Sequence, residues 1–380
     1  PESLSIDGST IFLGYDEESA KSNILEIVSS SEKAVDGEIN ESEEGIIILD
    51  QTPFYAESGG QVGDTGQIKC HESIFEVQDT QKKGDHYLHL GFMKSGKLTL
   101  KDEVSAEIDS KERKRIKSNH SGTHLLHAAL REVLGEHVEQ KGSLVDQSKL
   151  RFDFTHSKSI ETEEITKIEN LINEQILLNS ETITEILPIE EAIERGAIAF
   201  FGDKYGDEVR VLNIGDNFSV ELCGGTHVSM TGEIELLKIT SESSVSAGIR
   251  RIEAVTGEAA NHLLDHLEHI YCSISNELLI DDFDTREGIE ALEYIRFLEN
   301  EMSVFAKLLN CSQDQVLTKI IQMKEENITI SNKLESQQSE FESYESHTDA
   351  ISILLERNKT LKLESKKIES ESLGSSADDL

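Results

Sequence analysis

Two short segments of the sequence combine histidine and cysteine at a spacing that suits metal binding. They are His120-Ser-Gly-Thr-His124 and Cys223-Gly-Gly-Thr-His227. Residues four apart on a helix project to the same side, so the two imidazoles of the first segment can bind one ion. A thiolate and a further imidazole from the second segment would complete a four-ligand shell of nitrogen and sulfur, which suits zinc. The alternative is a buried cysteine and core histidines that are hydrogen-bonded to their neighbours.

A spacing of four residues between two histidines is not sufficient by itself to identify a metal site. His262 and His266 are also four apart, and His269 follows them in a very polar stretch with helical spacing, where we interpret all three as surface residues. The second segment is what distinguishes the first pair, since Cys223 is the only cysteine with a histidine four residues after it. The two glycines between them would let the backbone approach a bound ion or ligand closely.

The pattern of apolar residues predicts the elements that must position these segments. Short alternating runs at residues 10–13, 45–50, 73–77 and 97–100 are separated by Gly, Asp and Ser, which is typical of the strands of a barrel or sandwich. Helical spacing follows at residues 110–134 and 161–178, with strand-like runs at 150–154, 209–214, 219–222, 234–241 and 250–255. After Gly257, apolar residues at steps of three and four predict long helices.

These elements indicate an α+β protein in three parts. Residues 1–108 are expected to form a small β-barrel, and residues 109–257 a two-layer α/β domain that contains the metal site. Residues 258–380 are expected to form a helical linker or oligomerisation region, with a weakly defined coiled coil over residues 315–363 and disorder in the last residues.

Composition excludes several classes of function. The 380 residues contain 36 Lys and Arg against 74 Asp and Glu, a net charge of −38. Binding of nucleic acid through bulk charge is therefore excluded, and any RNA contact needs a local basic patch. The four cysteines, Cys70, Cys223, Cys272 and Cys311, show no paired spacing, which fits a reducing compartment. Apolar runs are too short for a membrane helix. The start at Pro1, without Met or a signal peptide, suggests a piece of a longer protein.

Several motifs together resemble the editing domain of the alanyl-tRNA synthetase family. They occur in the order found in that family and cover about residues 10–257. The motifs are Thr52-Pro-Phe-Tyr-Ala-Glu-Ser-Gly-Gly-Gln-Val-Gly-Asp-Thr-Gly66, Ser118-Asn-His-Ser-Gly-Thr-His-Leu-Leu-His-Ala-Ala-Leu130, Gln140-Lys-Gly-Ser143, Leu150-Arg-Phe-Asp-Phe154, Glu221-Leu-Cys-Gly-Gly-Thr-His-Val228 and Gly248-Ile-Arg-Arg-Ile-Glu-Ala-Val-Thr-Gly257.

The resemblance implies a piece of such a synthetase that holds the editing domain and the helical region after it. In the family this domain hydrolyses the ester of serine or glycine mischarged onto tRNA(Ala), and ligase activity is not expected from this piece. The implied partner is the acceptor end of tRNA(Ala), the implied location is the cytoplasm, and the C-terminal helices are expected to allow a homo-oligomer. Two alternatives stay open: a zinc-stabilised tRNA-binding and oligomerisation module that is inactive on its own, and a free-standing trans-editing deacylase.

The resemblance also implies roles for individual residues. One zinc ion has four implied ligands, which are His120, His124, Cys223 and His227. Cognate alanine is smaller than serine and cannot be excluded by size, so discrimination requires polar groups that hydrogen-bond the serine hydroxyl. Thr123 and Gln140 match motif positions and have suitable donors and acceptors. Gln61 follows a two-glycine turn in a loop that lies near the editing pocket in the family, so it is a candidate for substrate contact.

A basic run at residues 111–117 is the densest in this acidic chain and leads directly into the first histidine pair. Cations there would meet an arriving tRNA acceptor end, whereas the alternative is a solvated helix face. The residues expected to contact tRNA are Lys111, Arg113, Lys114, Arg115, Lys117, Arg250 and Arg251.

Overall fold

A computed structural model of the chain describes residues 8–29, 37–100, 102–198, 206–279, 291–333 and 347–375. The chain divides into two compact units, Pro1–Ala260 and Asn261–Leu380. None of the helices within the described residues is both long and apolar enough to cross a membrane.

The described residues of the first part of the chain form ten strands. They are β1 (Ile11–Phe12), β2 (Ser19–Ser29), β3 (Glu38–Asn40), β4 (Glu44–Leu49), β5 (Gln51–Thr52), β6 (Gly66–Cys70), β7 (Ser73–Lys83), β8 (His86–Ser95), β9 (Lys97–Thr99) and β10 (Glu103–Ile108). Six of them close a barrel in the order β10-β2-β4-β8-β7-β6. Alternate residues of β10, namely Val104, Ala106 and Ile108, are buried in the barrel core. The predicted small barrel is therefore confirmed.

Where the second part is described, it combines three α-helices with two antiparallel sheets. Its helices are α1 (Ser110–Leu134), α2 (Thr162–Leu178) and α3 (Ile189–Glu194). Its strands are β11 (Gln140–Val145), β12 (Leu150–Thr155), β13 (Ile183–Pro188), β14 (Glu208–Ile214), β15 (Ser219–Leu222), β16 (Leu237–Ser246) and β17 (Ile249–Thr256). The larger sheet has the order β11-β12-β17-β16, and the smaller has the order β13-β14-β15. This combination of helices and sheets confirms the predicted mixture of α and β structure.

Helix α1 is the element that positions the first histidine pair. It begins after Asp109, whose side chain accepts the backbone N–H groups of Lys111 and Glu112, and it ends at Gly135 in the left-handed region at φ 115°. Its leucines join a core cluster that contains Phe152 of β12. Because that packing holds α1 along its length, side chains near its middle are fixed relative to the sheet.

The later part of the chain is helical, as predicted. Its helices are α4 (Gly257–Leu278), α5 (Ala291–Leu309), α6 (Val316–Lys333) and α7 (His347–Ser375). On α4, His262, His266 and His269 are all exposed, which confirms their interpretation as surface residues. Helices α6 and α7 contact each other, but a coiled coil stays a prediction. Helix α7 extends to Ser375, and residues 376–380 lie outside the described residues, so the expected disorder of the last residues stays a prediction.

Candidate metal centre

The two predicted half-sites meet in the second part of the chain. His120 and His124 lie one turn apart on α1 and are 5% and 4% exposed. Cys223 follows directly after β15, and His227 lies four residues further along. One ligand atom from each of these four residues lies within 4.8 Å of the other three. The structure therefore contains a possible metal-binding group at the predicted positions.

The distances within this group fit a tetrahedral zinc ion. Zinc at about 2.3 Å from sulfur and about 2.0 Å from nitrogen would separate those two ligand atoms by about 3.5 Å. The Sγ atom of Cys223 lies 3.5 Å from Nε2 of His120 and 3.5 Å from Nε2 of His227. Nε2 of His124 is buried without a hydrogen-bond partner, which leaves its lone pair available for an ion. The donor set and its spacing thus suit zinc.

Charges in the group favour a bound cation. Burial acts to raise the pKa of the Cys223 thiol, but His120 and His227 lower it well below its usual value. Burial acts to lower the pKa of His124, yet the negative charges of Glu221 and Cys223 raise it to about 10. Burial lowers the pKa of His227 to about 3. The negative charges of Cys223 and Glu221 thus favour positive charge at this group, which suits a bound divalent cation.

Two polar side chains behind the ligands fix their ring orientations. Nδ1 of His120 donates to Oε1 of Gln61 at 2.8 Å, and the same oxygen accepts the backbone N–H of Thr226 at 2.9 Å. Nδ1 of His124 donates to the Glu221 carboxylate at 2.8 Å, and Nδ1 of His127 donates to its other oxygen at 2.9 Å. With Nδ1 protonated in this way, Nε2 of His120 and of His124 carries the lone pair that a metal requires.

Gln61 lies behind His120, and its predicted contact with substrate stays a prediction. Its side chain is fully buried, and its Nε2 donates to Oγ1 of Thr226 at 2.9 Å. The Gly59-Gly60 turn before it lies on the cleft described next, whereas the Gln61 side chain contacts His120. In this structure its side chain orients His120.

A cleft of about 640 Å³ opens beside the metal-binding group. His120, His124 and Cys223 line it together with the predicted discriminating residues Thr123 and Gln140. Residues of the barrel line it as well, so the two parts of this unit share the cleft. The structure thus brings both predicted polar residues to the same space as the predicted ligands.

Among the predicted tRNA contacts, Arg113 is placed differently from the expectation. Its side chain is 1% exposed, and its Nε donates to Asp64 at 2.9 Å. Its Nη atoms donate to the carbonyls of Gly14 at 2.6 Å and Pro53 at 2.9 Å. The Arg113 side chain is thus enclosed and not available to a phosphate. The basic run at residues 111–117 forms two turns of helix, and one face of that helix points inward.

The other predicted cations lie at or near the surface, and several are paired. Lys111, Lys114 and Arg115 are exposed, and Arg115 forms an ion pair with Glu258 at 2.5 Å. Lys117 is half-buried, which lowers its pKa. The remaining two arginines also face carboxylates: Arg250 pairs with Glu242, and Arg251 binds Asp153 through two nitrogens at 2.7 Å. Their contact with RNA stays a prediction.

Sequence reasoning missed three residues of the centre, which are Tyr15, Arg210 and Glu221. Glu221 precedes Cys223 by two positions. Because residues two apart on a strand point to the same side, this spacing could have identified Glu221 as a neighbour of the metal-binding group. Arg210 donates to the carbonyls of Cys223 at 2.9 Å and Gly225 at 3.0 Å. Tyr15 donates to the carbonyl of Gly224 at 2.7 Å, across 209 positions of sequence. No local pattern predicts such long-range contacts.

Comparison with known proteins agrees with these features. The sequence matches the family model described as tRNA synthetases class II (A) over residues 2–112, and the Threonyl and Alanyl tRNA synthetase second additional domain over residues 209–253. The alanine–tRNA ligase of Saccharophagus degradans is 53% identical over 264 residues, which cover 68% of this chain and 30% of that protein. The chain belongs to the alanyl-tRNA synthetase family.

Two further members of the alanyl-tRNA synthetase family give the same picture. The alanine–tRNA ligase of Coxiella burnetii is 47% identical over 313 residues, 82% of this chain and 36% of that protein. The alanine–tRNA ligase of Dechloromonas aromatica is 46% identical over 325 residues, 84% of this chain and 37% of that protein. The chain spans about a third of the length of these relatives. The segment matched at residues 209–253 contains Cys223 and His227.

Proposed function

We propose that this chain hydrolyses the ester that joins serine or glycine to tRNA(Ala), the editing reaction implied by its sequence motifs. The observation that supports the proposal is the group of His120, His124, Cys223 and His227, whose ligand atoms lie within 4.8 Å of one another beside a cleft. A bound zinc ion there would supply polarisation of the ester carbonyl or of a water molecule. The part of the reaction that this chain's own side chains perform is substrate orientation and discrimination.

Thr123 is the side chain best placed to recognise serine. Its Oγ1 donates to the backbone carbonyl of Asn119 at 2.9 Å, so its hydroxyl proton is already committed. The oxygen lone pairs remain as acceptors toward the cleft, and the serine hydroxyl is a donor. Thr123 is 4% exposed. Alanine has no hydroxyl, so binding it would leave the Thr123 oxygen without this additional partner. Selection therefore follows from a lost hydrogen bond and not from size.

Gln140 lies at a second point of the same cleft. It opens β11, where the register with β12 shifts between Gln140 and Gly142. A bulge of this kind redirects a side chain from the sheet into a neighbouring space. Its amide offers both a donor and acceptors, which suits the ester carbonyl or the amino group of the bound amino acid.

The test compares esters and a matched pair of variants. The zinc-loaded chain is incubated separately with seryl-tRNA(Ala) and alanyl-tRNA(Ala), and ester loss is followed. We expect the seryl ester to be lost faster by about 10²-fold or more. Thr123→Val removes the hydroxyl at nearly constant volume and should abolish that preference, whereas Thr123→Ser should retain it. Equal loss of both esters in the unmodified chain, or an unchanged preference in Thr123→Val, would contradict the proposal.

One observation favours a second function. Four protein ligands complete a tetrahedral shell, and such closed shells are common in structural zinc sites. On that account the chain is a zinc-stabilised module that binds tRNA without hydrolysing it. It predicts that seryl-tRNA(Ala) binds but keeps its ester, so the same incubation separates the two functions.

A further inference from the structure

An aromatic wall lines the barrel side of the cleft. It consists of Phe12, Tyr15, Tyr55 and Tyr87, and all four residues line the cleft that His120 and Cys223 also line. Tyr55 is buried, whereas Tyr15 is 40% exposed. Exposed rings at a polar cleft are unusual for a barrel, whose apolar side chains belong in its core. The wall is therefore a surface that a ligand can contact.

The ring of Tyr15 is held in a fixed orientation next to the metal-binding group. Its hydroxyl donates to the carbonyl of Gly224 at 2.7 Å, one residue from Cys223. The guanidinium carbon of Arg210 lies 4.3 Å from the ring centroid, and the edge of Phe12 lies against the ring at a centroid distance of 4.9 Å. An aromatic ring that is oriented in this way and still exposed is preorganised for stacking.

The second element of the wall is a pair of stacked, partly buried rings beside a cation. Phe12 and Tyr87 stack with an interplanar angle of 5° and a centroid distance of 5.5 Å. Nζ of Lys82 lies 5.4 Å from the centroid of Tyr87. Within the described residues, neither Lys82 nor Arg210 forms an ion pair, in contrast to Arg115, Arg250 and Arg251. Their positive charge can therefore attract a phosphate, although Nη1 of Arg210 also donates to the carbonyls of Cys223 and Gly225.

We propose that the aromatic wall binds the terminal nucleobase at the single-stranded 3′ end of the tRNA, with Lys82 and Arg210 facing its phosphates. This inference rests on the proposed function. The ester is attached to the ribose of the terminal nucleotide, so the base of that nucleotide must lie one ribose away from the ester. Tyr15 adjoins the metal-binding group through its hydrogen bond to the carbonyl of Gly224, the residue after Cys223. Stacked rings beside cations are the usual means of binding single-stranded RNA without reading its sequence.

A fluorescent base tests the wall directly. The probe is an uncharged RNA hairpin that ends in single-stranded CC followed by 2-aminopurine, whose fluorescence is quenched when the base stacks. The zinc-loaded chain should bind the hairpin and quench the terminal base. Tyr15→Leu and Tyr87→Leu should each weaken binding by about 5- to 100-fold and restore fluorescence, since one stacked base contributes about 1–3 kcal/mol. Tyr15→Phe keeps the ring and should still quench.

A matched control and a zinc assay distinguish loss of stacking from general destabilisation of the protein. Phe297→Leu removes a ring that is 45% exposed on α5 and should behave as the unmodified chain does. Zinc content should be equal in all variants, which shows that the loop at Gly224 is intact. Unaltered binding and quenching in Tyr15→Leu and Tyr87→Leu would overturn the proposal, as would a loss in Tyr15→Phe equal to that in Tyr15→Leu.

A second substrate separates this inference from the proposed function. Seryl-tRNA(Ala) whose terminal ribose lacks its base should lose its ester more slowly than intact seryl-tRNA(Ala). Equal rates would overturn the role of the wall and leave the hydrolysis standing. Quenching of 2-aminopurine without hydrolysis of either ester would support the wall and contradict the proposed function.

Discussion

Gly225 illustrates how closely the metal-binding group is packed. An ideal Cβ built on this residue would overlap the ring of His120, and it would lie 2.9 Å from Oε1 of Gln61. A Cβ on the neighbouring Gly224 would meet no heavy atom within 4 Å. The His120 ring therefore requires glycine at position 225. No such steric contact requires glycine at position 224.

Gly225→Ala should displace His120 and lower zinc affinity by about 10- to 100-fold, the range seen when contacts that hold a ligand are removed. Gly224→Ala is the matched control and should bind zinc as the unmodified chain does. Competition with a chromophoric chelator measures both affinities. Equal zinc affinity in Gly225→Ala and Gly224→Ala would show that the site can rearrange around an added methyl group.

The four proposed metal ligands could be recognised from sequence because their spacing is local. The residues that hydrogen-bond those ligands could not be recognised in this way. His120 and His124 are related by one helical turn, and Cys223 and His227 by one short loop. Gln61 reaches His120 across 59 positions, and the burial that makes it a support depends on how the barrel meets α1. Such a contact depends on tertiary packing, which no periodicity encodes.

Between elements, the ion pair of Arg113 and Asp64 joins α1 to the barrel. The two side chains are 1% and 3% exposed, and Asp64 also accepts the backbone N–H of Tyr55 at 2.6 Å. Arg113 lies two turns before His120 on α1. The pair therefore fixes the start of α1, which carries His120, and also Tyr55 of the aromatic wall.

Arg113→Leu should destabilise the fold by about 3–5 kcal/mol, because it leaves Asp64 buried and without its counterion. Arg115→Leu removes the exposed pair with Glu258 and should cost no more than about 1 kcal/mol. Urea denaturation of the zinc-loaded chain measures both. A loss in Arg113→Leu as small as that in Arg115→Leu would show that the buried pair is not a support.

The barrel contains a separate pH-sensitive residue, His89. Its ring is fully buried, where Nε2 meets Oγ1 of Thr52 at 2.7 Å and Nδ1 meets the carbonyl of Ile47 at 2.9 Å. Burial lowers its pKa to about 4, although the bond to Ile47 acts to raise it. As pH falls below about 6.5, His89 becomes protonated in the unfolded chain but stays neutral in the folded chain.

Stability should consequently fall between pH 6.5 and pH 4, and His89 should account for about 3 kcal/mol of that loss. His89→Gln cannot titrate and should lose less stability by that amount over the same interval. Free energies of unfolding at a series of pH values measure the difference. Parallel curves for the two proteins would show that His89 does not make the fold acid-sensitive.

Elements with a clear period were predicted well, and those without one were not. The predicted helix at residues 110–134 has the bounds of α1, because Asp109 caps it and Gly135 ends it. Strand β2 (Ser19–Ser29) was missed, since its sequence SAKSNILEIVS lacks strict alternation and its burial pattern is irregular. Strand β13 (Ile183–Pro188) is mostly exposed at a sheet edge, so its residues give no core-facing signal.

For the chain as a whole, the net charge of −38 opposes approach of a tRNA. Several predicted RNA-facing arginines are paired with carboxylates, which reduces their contribution further. On this account, recognition concentrates at the cleft, where the metal-binding group, Thr123 and the aromatic wall lie together. Hydrolysis then depends on one compact site and not on a broad basic surface.

The dependence of seryl ester loss on zinc tests this account most directly. Seryl-tRNA(Ala) is incubated with the zinc-loaded chain, with the chain after chelation, with the chelated chain after zinc is restored, and with Cys223→Ser. Circular dichroism verifies that each sample is folded. The account predicts ester loss in the first and third samples and little in the others. Ester loss at the same rate in a folded, zinc-free chain would contradict it.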